Sequence, residues 1–316
     1  MLVTGAAGRL GRAVVPRLVA AGWEVVAVDR QSPPDGHVAG VPVVVADLAD
    51  PRGPAGAAGL VAGCESVVHL AGHPSPFGLP GHEVFGNNTR ATYNVLAAAA
   101  EAGVRTAVIA ASTAAYGLAF APHPASPLYA PIDEAHPLLP QDPYSLSRQV
   151  DEATAGMLAR RHGMTVVALR FHWVAAAAEI ARRVREVRAD PEVGRSVAEL
   201  WGYVEIGEAA QACLAALAVP DGCHAVNITA PDTLSEIPTV DLLARYHPST
   251  RRRVLPGTAG AWSTARAREL LGFAPAWSWR TELPEAAHAS EPHEPHASNA
   301  HAPHDPNVPN KENRPS

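Results

Sequence analysis

The chain has 316 residues, of which 47% are hydrophobic and 18% are charged, and its formal net charge is -6 at pH 7. That length and apolar content provide a sizeable buried core in one large domain or two, which excludes a fibrous protein. The negative charge and the lack of a cluster of Lys and Arg argue against nucleic acid as the main partner, because duplex binding depends on neutralising phosphates, and favour a small-molecule partner.

The three cysteines, Cys64, Cys213 and Cys223, lie far apart in the sequence, with no pair at metal-ligand spacing. We interpret them as reduced and mostly buried thiols, and we predict no metal site. The chain opens directly on MLVTGAAG without the pattern of a signal peptide, and no apolar run reaches the length that spans a bilayer. We therefore expect a cytoplasmic protein with no membrane partner.

Short apolar runs alternate with longer segments of helical spacing in the first part of the chain. The runs are rich in Val, Ile and Leu, which is typical of strands buried on both faces of a parallel sheet; they read LVTG, VVAVDR, VPVVVADL, SVVHLAG, TAVIAAS and TVVALRF. Helical spacing is found in residues 9–21, 88–102 and 144–162. Strand and helix alternating in this way predict an α/β fold with a doubly wound parallel sheet.

The alternation ends after Arg170, and the remaining pattern predicts a small C-terminal substrate lobe over the carboxyl ends of the strands. Its expected elements are helices over residues 175–189, 208–218 and 264–271 and a strand over residues 225–228. We place the first domain at residues 1–172 and the lobe, with some elements returning to the sheet, at residues 173–282.

Residues 283–316 are rich in Pro, His, Ala and Asn and contain almost no large apolar side chains. Such a segment cannot offset the entropy lost on ordering, so we expect a disordered tail. Histidines could bind a divalent metal there, although the composition favours a solvated tail; they are His288, His293, His296, His301 and His304.

The sequence TGAAGRLG lies between the first predicted strand and the first predicted helix, with glycines at 5, 8 and 11. Gly5 permits a tight turn, Gly8 lets the backbone approach a pyrophosphate, and Gly11 allows the helix to pack close to the sheet. Free N–H groups at the start of the helix hold the anion. The pattern predicts a dinucleotide site, and the alternative is an ordinary glycine-rich turn.

Asp29 ends the second predicted strand, 18 residues after Gly11, about where an acidic group meets a ribose diol. A carboxylate there repels a 2′-phosphate, so the sequence favours NAD as the cofactor. Arg9, Arg12 and Arg30 are close enough in sequence to accept a phosphate, so NADP stays possible. Further candidate cofactor contacts lie beside the glycines and at strand ends, namely Ala7, Leu10, Asp47, Leu48, Leu70, Ala71 and Gly72.

Together these motifs resemble the extended short-chain dehydrogenases, also called the NAD-dependent epimerase/dehydratase family. The resemblance rests on TGAAGRLG, the aspartate of VVAVDR, ADL, HLAG, NTRATYNVLAAA, ASTAAYG and YSLSR, and it is dense over residues 1–172. It implies a Rossmann-type domain, hydride transfer to or from a hydroxyl-bearing carbon, and Asn88 beside the cofactor. It also implies a homodimer built from the helix of the Asn88 segment and the helix that carries YSLSR.

By position, the resemblance implies that Tyr144 is the acid/base, that Ser112 and Thr113 meet the substrate, and that residue 148 holds the nicotinamide ribose. Oxidation of an alcohol needs a base for the hydroxyl proton, and a nearby cation favours an ionised tyrosine. A spacing of four places Tyr144 and Arg148 on one helical face. Two alternatives stay open, a tyrosine that only packs at a helix start and a turn serine that bonds its own backbone.

The family normally has lysine at the position of Arg148. Arginine keeps the charge but cannot pass a proton, and the chain has a single lysine, Lys311, so general drift from Lys to Arg is an alternative to a reshaped pocket. His172 and Trp173 follow the last apolar run, where they predict a bulky wall and a substrate smaller than a nucleotide sugar. A histidine with no role is the alternative for His172.

Three functions are compatible with these residues. The first is an NAD-dependent oxidoreductase that acts on a sugar-like or uronate-like hydroxyl. The second is an epimerase or dehydratase that keeps its NAD bound and recycles it. The third is a sensor or scaffold that binds the cofactor without catalysis, in which Arg148 marks the loss of activity.

Overall fold

The computed structural model describes residues 1–50 and 52–283, which form a three-layer α/β fold. The strands are β1 (Leu2–Thr4), β2 (Val26–Asp29), β3 (His37–Val38), β4 (Val41–Val45), β5 (Ser66–His69), β6 (Thr106–Ser112), β7 (Tyr129–Ala130), β8 (Thr165–Phe171), β9 (Val174–Ala175), β10 (Val204–Glu205), β11 (Cys223–Ile228) and β12 (Arg251–Arg252). The helices are α1 (Arg9–Ala20), α2 (Pro54–Val61), α3 (Gly81–Glu101), α4 (Pro143–His162), α5 (Ala177–Ala189), α6 (Ile206–Ala216), α7 (Thr239–Tyr246), α8 (Ala265–Leu271) and α9 (Trp279–Glu282).

The main sheet has eight strands in the order β11-β8-β6-β5-β1-β2-β4-β3, and β3 alone of these runs antiparallel to its neighbour. One face is covered by α1, α6 and α8, and the other by α2, α3 and α4. The direction of winding reverses at β1, which has β5 on one side and β2 on the other. This is the predicted Rossmann-type doubly wound sheet, and such a reversal opens a crevice at the carboxyl ends of the strands.

Burial explains why the strand sequences lack alternation. Every residue of β5 and of β8 is buried, because helices cover both faces of these strands. β4 is different, since Val44 and Val45 are 44% and 60% exposed. This strand lies beside the two-residue β3 at the edge of the sheet, so the prediction that it is buried on both faces was wrong.

The C-terminal half contributes to two parts of the fold. β11 joins the main sheet beside β8, and α6 packs against α1. The other elements enclose two aromatic clusters, one around Trp201, Tyr203 and Trp279 and one around Tyr116 and Trp262. These clusters form the core of the small lobe, next to the carboxyl ends of β6 and β8.

Three of the expected helices needed corrected bounds, among them α5, which begins at Ala177 and not at residue 175, where β9 ends. α3 begins at Gly81, seven residues before the expected start at Asn88, because Pro80 occupies the N-cap and Glu83 lies in the first turn. α6 begins and ends two residues earlier than expected, and the carboxylate of Glu205 caps its first turn. Neither α2 nor α7 was foreseen. The expected tail lies outside the described residues from 284 on, with all of its histidines, whereas its first residue, Leu283, packs against the cluster around Trp201, Tyr203 and Trp279.

Within the described part of the chain, no helix is long and apolar enough to cross a membrane. Cys64 and Cys213 are buried thiols, whereas Cys223 is exposed at the start of β11.

Candidate active site

A cleft of about 580 Å³ opens at the carboxyl ends of the strands, where the winding of the sheet reverses. All site residues expected from the sequence line this cleft except Ala7, Asn88 and Arg12, whose Nε donates to the carbonyl of Ala7. The ones on its wall are Gly5, Gly8, Arg9, Leu10, Gly11, Asp29, Arg30, Asp47, Leu48, Leu70, Ala71, Gly72, Ser112, Thr113, Tyr144, Arg148, His172 and Trp173. The fold therefore brings together residues that are up to 168 positions apart, from Gly5 to Trp173.

The glycine turn before α1 has no room for side chains. A Cβ on Gly5 would lie 2.7 Å from the backbone nitrogen of Ala71, and φ of Gly5 is +66°, which favours glycine. A Cβ on Gly11 would overlap the carbonyl oxygen of Gly5. Gly8 is the N-cap of α1, and no side chain caps that first turn. The first N–H groups of the helix are thus left for an anion.

Asp29 lies at the end of β2, beside this turn. Its Oδ2 accepts a hydrogen bond from the backbone N–H of Ala7 at 3.0 Å, and its Oδ1 accepts one from Gln31 at 3.2 Å. Ala7 therefore fixes the carboxylate and does not itself line the cleft. The neighbouring Arg30 is exposed, and within residues 1–50 and 52–283 it has no ion-pair partner. Arg9, by contrast, is paired with Glu179.

Asn88 is fully buried and holds the loop after β5 in place. Its Oδ1 accepts a hydrogen bond from the backbone N–H of His73 at 2.7 Å, and its Nδ2 donates to the carbonyl of His73 at 3.2 Å and to Ser147 Oγ at 3.1 Å. The cleft wall contains the adjacent Asn87 instead. The structure thus places Asn88 behind the wall, as a support for the loop that carries Gly72 and His73.

Arg148 lies on the second turn of α4, and its guanidinium reaches three parts of the fold. Nη1 donates to Asp151 Oδ2 at 3.1 Å and to the carbonyl of Ala110 in β6 at 3.3 Å, and Nη2 donates to the carbonyl of His73 at 2.9 Å. Burial lowers the pKa of Arg148, but the adjacent Tyr144 and Asp151 outweigh burial and leave this pKa above its ordinary value. The site therefore contains a permanent cation.

Tyr144 lies one helical turn before Arg148, with its ring against the edge of Phe120 at a centroid distance of 5.7 Å. Ser112 ends β6, and its Oγ accepts a hydrogen bond from the N–H of Ala114 at 3.1 Å. Because the hydroxyl oxygen is the acceptor, the proton of Ser112 stays available to another group. Thr113 differs, since its Oγ1 donates to the carbonyl of Phe171 at 3.4 Å.

His172 is buried, and both of its ring nitrogens are used by the backbone. Nδ1 accepts from the N–H of Trp173 at 2.7 Å, which requires the proton to be on Nε2, and Nε2 lies 3.0 Å from the carbonyl of Glu199. Burial lowers the pKa of His172 to about 4, so the ring is neutral near pH 7. His172 therefore offers ring surface to the cleft, while its Nε2 holds the loop that contains Glu199 and its Nδ1 holds the backbone of Trp173.

Several wall residues carried no signal in the sequence, because they lie on loops of the small lobe or beyond strand ends. They include Phe120, Arg195, Glu199 and Trp262. The Cζ of Arg195 is 4.9 Å from the centroid of the Phe120 ring, and its Nε lies 3.0 Å from Glu199 Oε1. A pair spaced by four residues was visible at Arg195 and Glu199, but nothing in the sequence placed it beside Tyr144.

The residues present fit a dinucleotide. The glycine turn is closed to side chains, the uncapped start of α1 lies beside it, and a carboxylate stands at the end of β2. The Nε of Arg148 is a buried donor that has no partner among the residues described, at the other end of the same cleft. The glycine turn and the start of α1 match a pyrophosphate. The carboxylate at the end of β2 matches the diol of one ribose, and the donor of Arg148 matches the hydroxyls of the other ribose.

Comparisons with known proteins agree with this geometry. The sequence profile of the NAD dependent epimerase/dehydratase family matches residues 1–229. An L-arabinose 1-dehydrogenase (NAD(P)(+)) from Haloferax volcanii is 32% identical over 192 residues, which are 58% of this chain and 70% of that protein. A UDP-glucose 4-epimerase from Azospirillum brasilense is 30% identical over 193 residues, which are 58% of this chain and 51% of that protein.

Among solved structures, a short-chain dehydrogenase/reductase superfamily protein from Agrobacterium tumefaciens with bound NAD is similar, with a TM-score of 0.67 and 26% identity. The alignment covers 90% of this chain and 95% of that one, so the small lobe is included in the likeness.

Proposed function

Because the chain belongs to the NAD-dependent epimerase/dehydratase family, we propose that it is an NAD-dependent oxidoreductase that transfers hydride at a hydroxyl-bearing carbon of a sugar-like or uronate-like small molecule. The observation that carries this proposal is the convergence of Tyr144, Ser112 and Arg148 on one cleft, which the glycine turn of α1 also lines. A tyrosine that only packed at a helix start would not need a serine hydroxyl, a cation and a cofactor turn in the same cleft.

The cofactor, when bound, supplies the hydride acceptor. The glycine turn and the first N–H groups of α1 hold its pyrophosphate, and Asp29 accepts hydrogen bonds from a ribose diol. Asp47 and Leu48 face the adenine, and the small residues of HLAG let backbone lie against the dinucleotide. Arg148 holds the second ribose, while Ala7 and Asn88 support the wall from behind.

Tyr144 accepts the proton of the substrate hydroxyl, and the guanidinium of Arg148 lies over its ring. Ser112 donates a hydrogen bond to the same substrate oxygen and so fixes the position of the reacting carbon. The free proton of Ser112 and the stacked cation beside Tyr144 support these roles.

The dimensions of the cleft favour a small substrate. About 580 Å³ has to accommodate both a dinucleotide and the substrate, and the substrate half is walled by the rings of Phe120, His172, Trp173 and Trp262. Apolar rings with a few charged groups suit a monosaccharide or a sugar acid better than a second nucleotide. The likeness to an L-arabinose dehydrogenase supports this choice.

A second candidate is a sugar epimerase or dehydratase that recycles a tightly bound NAD. The likeness to UDP-glucose 4-epimerases favours it, at 30% and 32% identity over about half of each of those proteins. A third candidate is a sensor or scaffold that binds NAD without turnover, and only the Arg148 substitution favours that one.

A substrate panel separates the three candidates. The purified protein is incubated with NAD and L-arabinose, D-glucuronate or UDP-glucose, while absorbance reports reduced nicotinamide and chromatography reports isomers. We expect reduced cofactor to accumulate with the free sugar or the sugar acid and not with UDP-glucose. Conversion of UDP-glucose to an isomer without net reduction supports the second candidate. NAD binding by calorimetry without turnover of a wider panel of hydroxyl compounds supports the third.

The proposed assembly is a homodimer in the cytoplasm. Residues 1–172 hold the cofactor and also supply Ser112 and Tyr144, while residues 173–282 contribute further substrate wall, including Trp173 and Trp262. Exposed apolar side chains on α3 and α4 support the dimer, with Tyr93 at 45%, Leu146 at 42% and Met157 at 36% exposure. A monomer by light scattering at micromolar concentration contradicts it.

A further inference from the structure

We propose that Asp151 is a positioning residue for the cation of the active site, and that Arg148 and Asp151 form a matched pair that fits this pocket to arginine. The inference rests on the proposed function, because it gives the pair a task in cofactor binding and turnover. It also replaces the view that arginine at position 148 is neutral drift from lysine.

The pair lies on one face of α4 at a spacing of three residues. Arg148 Nη1 is 3.1 Å from Asp151 Oδ2, and the two side chains are only 6% and 1% exposed. Asp151 does not line the cleft, whereas Arg148 does. Asp151 therefore has no direct route to a ligand and acts through the guanidinium.

The guanidinium is fixed in orientation as well as in place. The two hydrogens of Nη1 point to separate acceptors, one on α4 and one in β6, and Nη2 bonds the loop after β5. Three elements are thus tied together by one planar group. A lysine has its three donors on a single nitrogen, so it cannot occupy the positions of both Nη1 and Nη2.

The surrounding backbone is adapted to this group. A Cβ on Gly72 would lie 2.9 Å from Arg148 Nη2 and 3.1 Å from Asn88 Oδ1, and φ of Gly72 is +150°, which favours glycine, so a side chain there would press on both groups. Asn88 fixes the same loop through two hydrogen bonds to His73, whose carbonyl accepts from Arg148. The loop with Gly72, Asn88 and Arg148 are therefore fitted to one another. Random replacement of lysine by arginine at position 148 alone does not explain this fit.

The charge of Asp151 also has a consequence for Arg148. A buried guanidinium without a counter-ion is costly, and Asp151 supplies the counter-ion. Loss of the carboxylate charge therefore removes the counter-ion and weakens one of the three contacts that fix the guanidinium.

The test uses Asp151→Asn and Asp151→Ala in the full chain, each also combined with Arg148→Lys. Asparagine is nearly isosteric and preserves the fold, while alanine removes the acceptor. Dissociation constants for NAD are measured by calorimetry, and kcat and KM are measured with the substrate from the panel. The matched control is Glu152→Gln, which breaks the adjacent buried ion pair of the same helix, Glu152 with Arg170 at 2.7 Å, away from the cleft.

We expect Asp151→Ala to weaken NAD binding and to lower kcat by about tenfold or more, because misplacement of a supporting group by about 1 Å costs up to about a hundredfold. The KM for the substrate should change by less than about threefold, since Asp151 touches no substrate group. In the Arg148→Lys background the same change should have less than about a twofold effect, because the fork that Asp151 positions is absent. Asp151→Asn should fall between wild type and alanine.

The proposal is overturned if Asp151→Asn and Asp151→Ala match the wild-type NAD affinity and kcat or exceed them, or if Glu152→Gln weakens NAD binding as strongly as they do. The proposal is also overturned if Asp151→Ala lowers NAD affinity and kcat equally with arginine and with lysine at position 148, because that pattern indicates general damage to the helix. A wild-type protein that binds no NAD contradicts the proposed function together with this inference. NAD binding that does not respond to residue 151 contradicts this inference alone.

Discussion

The guanidinium of Arg148 lies over the ring of Tyr144, with its Cζ 5.2 Å from the ring centroid. The two residues are one helical turn apart on α4, and both lie on the wall of the cleft. The spacing of four residues in YSLSR therefore brings the cation and the phenol together in one cleft, which the sequence allowed but did not require.

The first prediction concerns Tyr144. Tyr144→Phe should lower kcat by about 10²- to 10⁴-fold, which is the range that a positioned acid or base contributes. NAD affinity should stay within about twofold, because the proposed partner of the phenol is the substrate. Steady-state kinetics and calorimetry measure the two quantities. Tyr93→Phe, on the exposed face of α3, is the matched control. Turnover at the wild-type rate by the Tyr144 variant would sink the proposed role.

The second prediction concerns the choice between NAD and NADP. Asp29→Ala should narrow the preference for NAD by about tenfold, equivalent to about 1.4 kcal/mol, because the carboxylate no longer repels a 2′-phosphate. Arg30→Ala should have the opposite effect, since it removes an exposed cation with no ion-pair partner in the described part of the chain. Calorimetric titrations with both cofactors provide the comparison. Tighter binding of NADP than NAD by the wild-type protein would show that the arginines dominate.

The third prediction separates a sugar acid from a neutral sugar. Arg195 is stacked on Phe120, with its Nε held by Glu199, and its Nη atoms make no hydrogen bond within the described residues. A guanidinium held in this way presents two parallel N–H groups that match a carboxylate. Arg195→Ala should therefore raise the KM of a uronate by about 10- to 100-fold, as expected for a charged hydrogen bond worth about 1.5–3 kcal/mol.

For a neutral sugar, the same variant should change KM by less than about threefold. Arg182→Ala, which removes an exposed arginine of α5, is the control. If Arg195→Ala affects neutral and acidic substrates equally, then Arg195 contributes packing and does not select charge.

The fourth prediction concerns acid stability. Burial lowers the pKa of His172 to about 4 from its ordinary value of 6.5, so below pH 6.5 the unfolded chain binds a proton that the folded chain resists. The stabilising contribution of the neutral ring is therefore complete above pH 6.5 and is lost as pH falls towards about 4. It is on the order of 3 kcal/mol, at about 1.4 kcal/mol for each unit of pKa.

Urea unfolding at about pH 7 and about pH 5 measures the part of this contribution that is lost by pH 5, about 2 kcal/mol. His172→Gln retains a donor and an acceptor but does not titrate, so its free energy of unfolding should depend less on pH than that of the wild type. An equal pH dependence in the two proteins would show that other groups cause the acid instability.

The doubly wound sheet and the helices α1 and α4 were predictable from local pattern. Runs of Val, Ile and Leu between helix-forming segments leave few alternatives to buried parallel strands. The helix α4 also carries its own signals, with Asp142 as N-cap, Pro143 in the first turn and Gly163 in the left-handed conformation at its end. The start of α3 was not predictable, because GLPGHEVFG contains glycine and proline that indicate a loop.

By itself, the sequence determined the glycine turn, the acidic end of β2 and the spacing of Tyr144 and Arg148, because each depends on neighbours within a few residues. Only the tertiary structure decided that Arg148 and its helix neighbour Asp151 are buried together, that His172 has no free nitrogen, and that Arg195 lies against Phe120. The physical reason is that hydrogen bonds and burial bring together residues from different elements, and the separation of these residues along the chain does not predict which of them meet. The guanidinium of Arg148 donates to the carbonyls of His73 and Ala110, although no local pattern in the sequence connects these three residues.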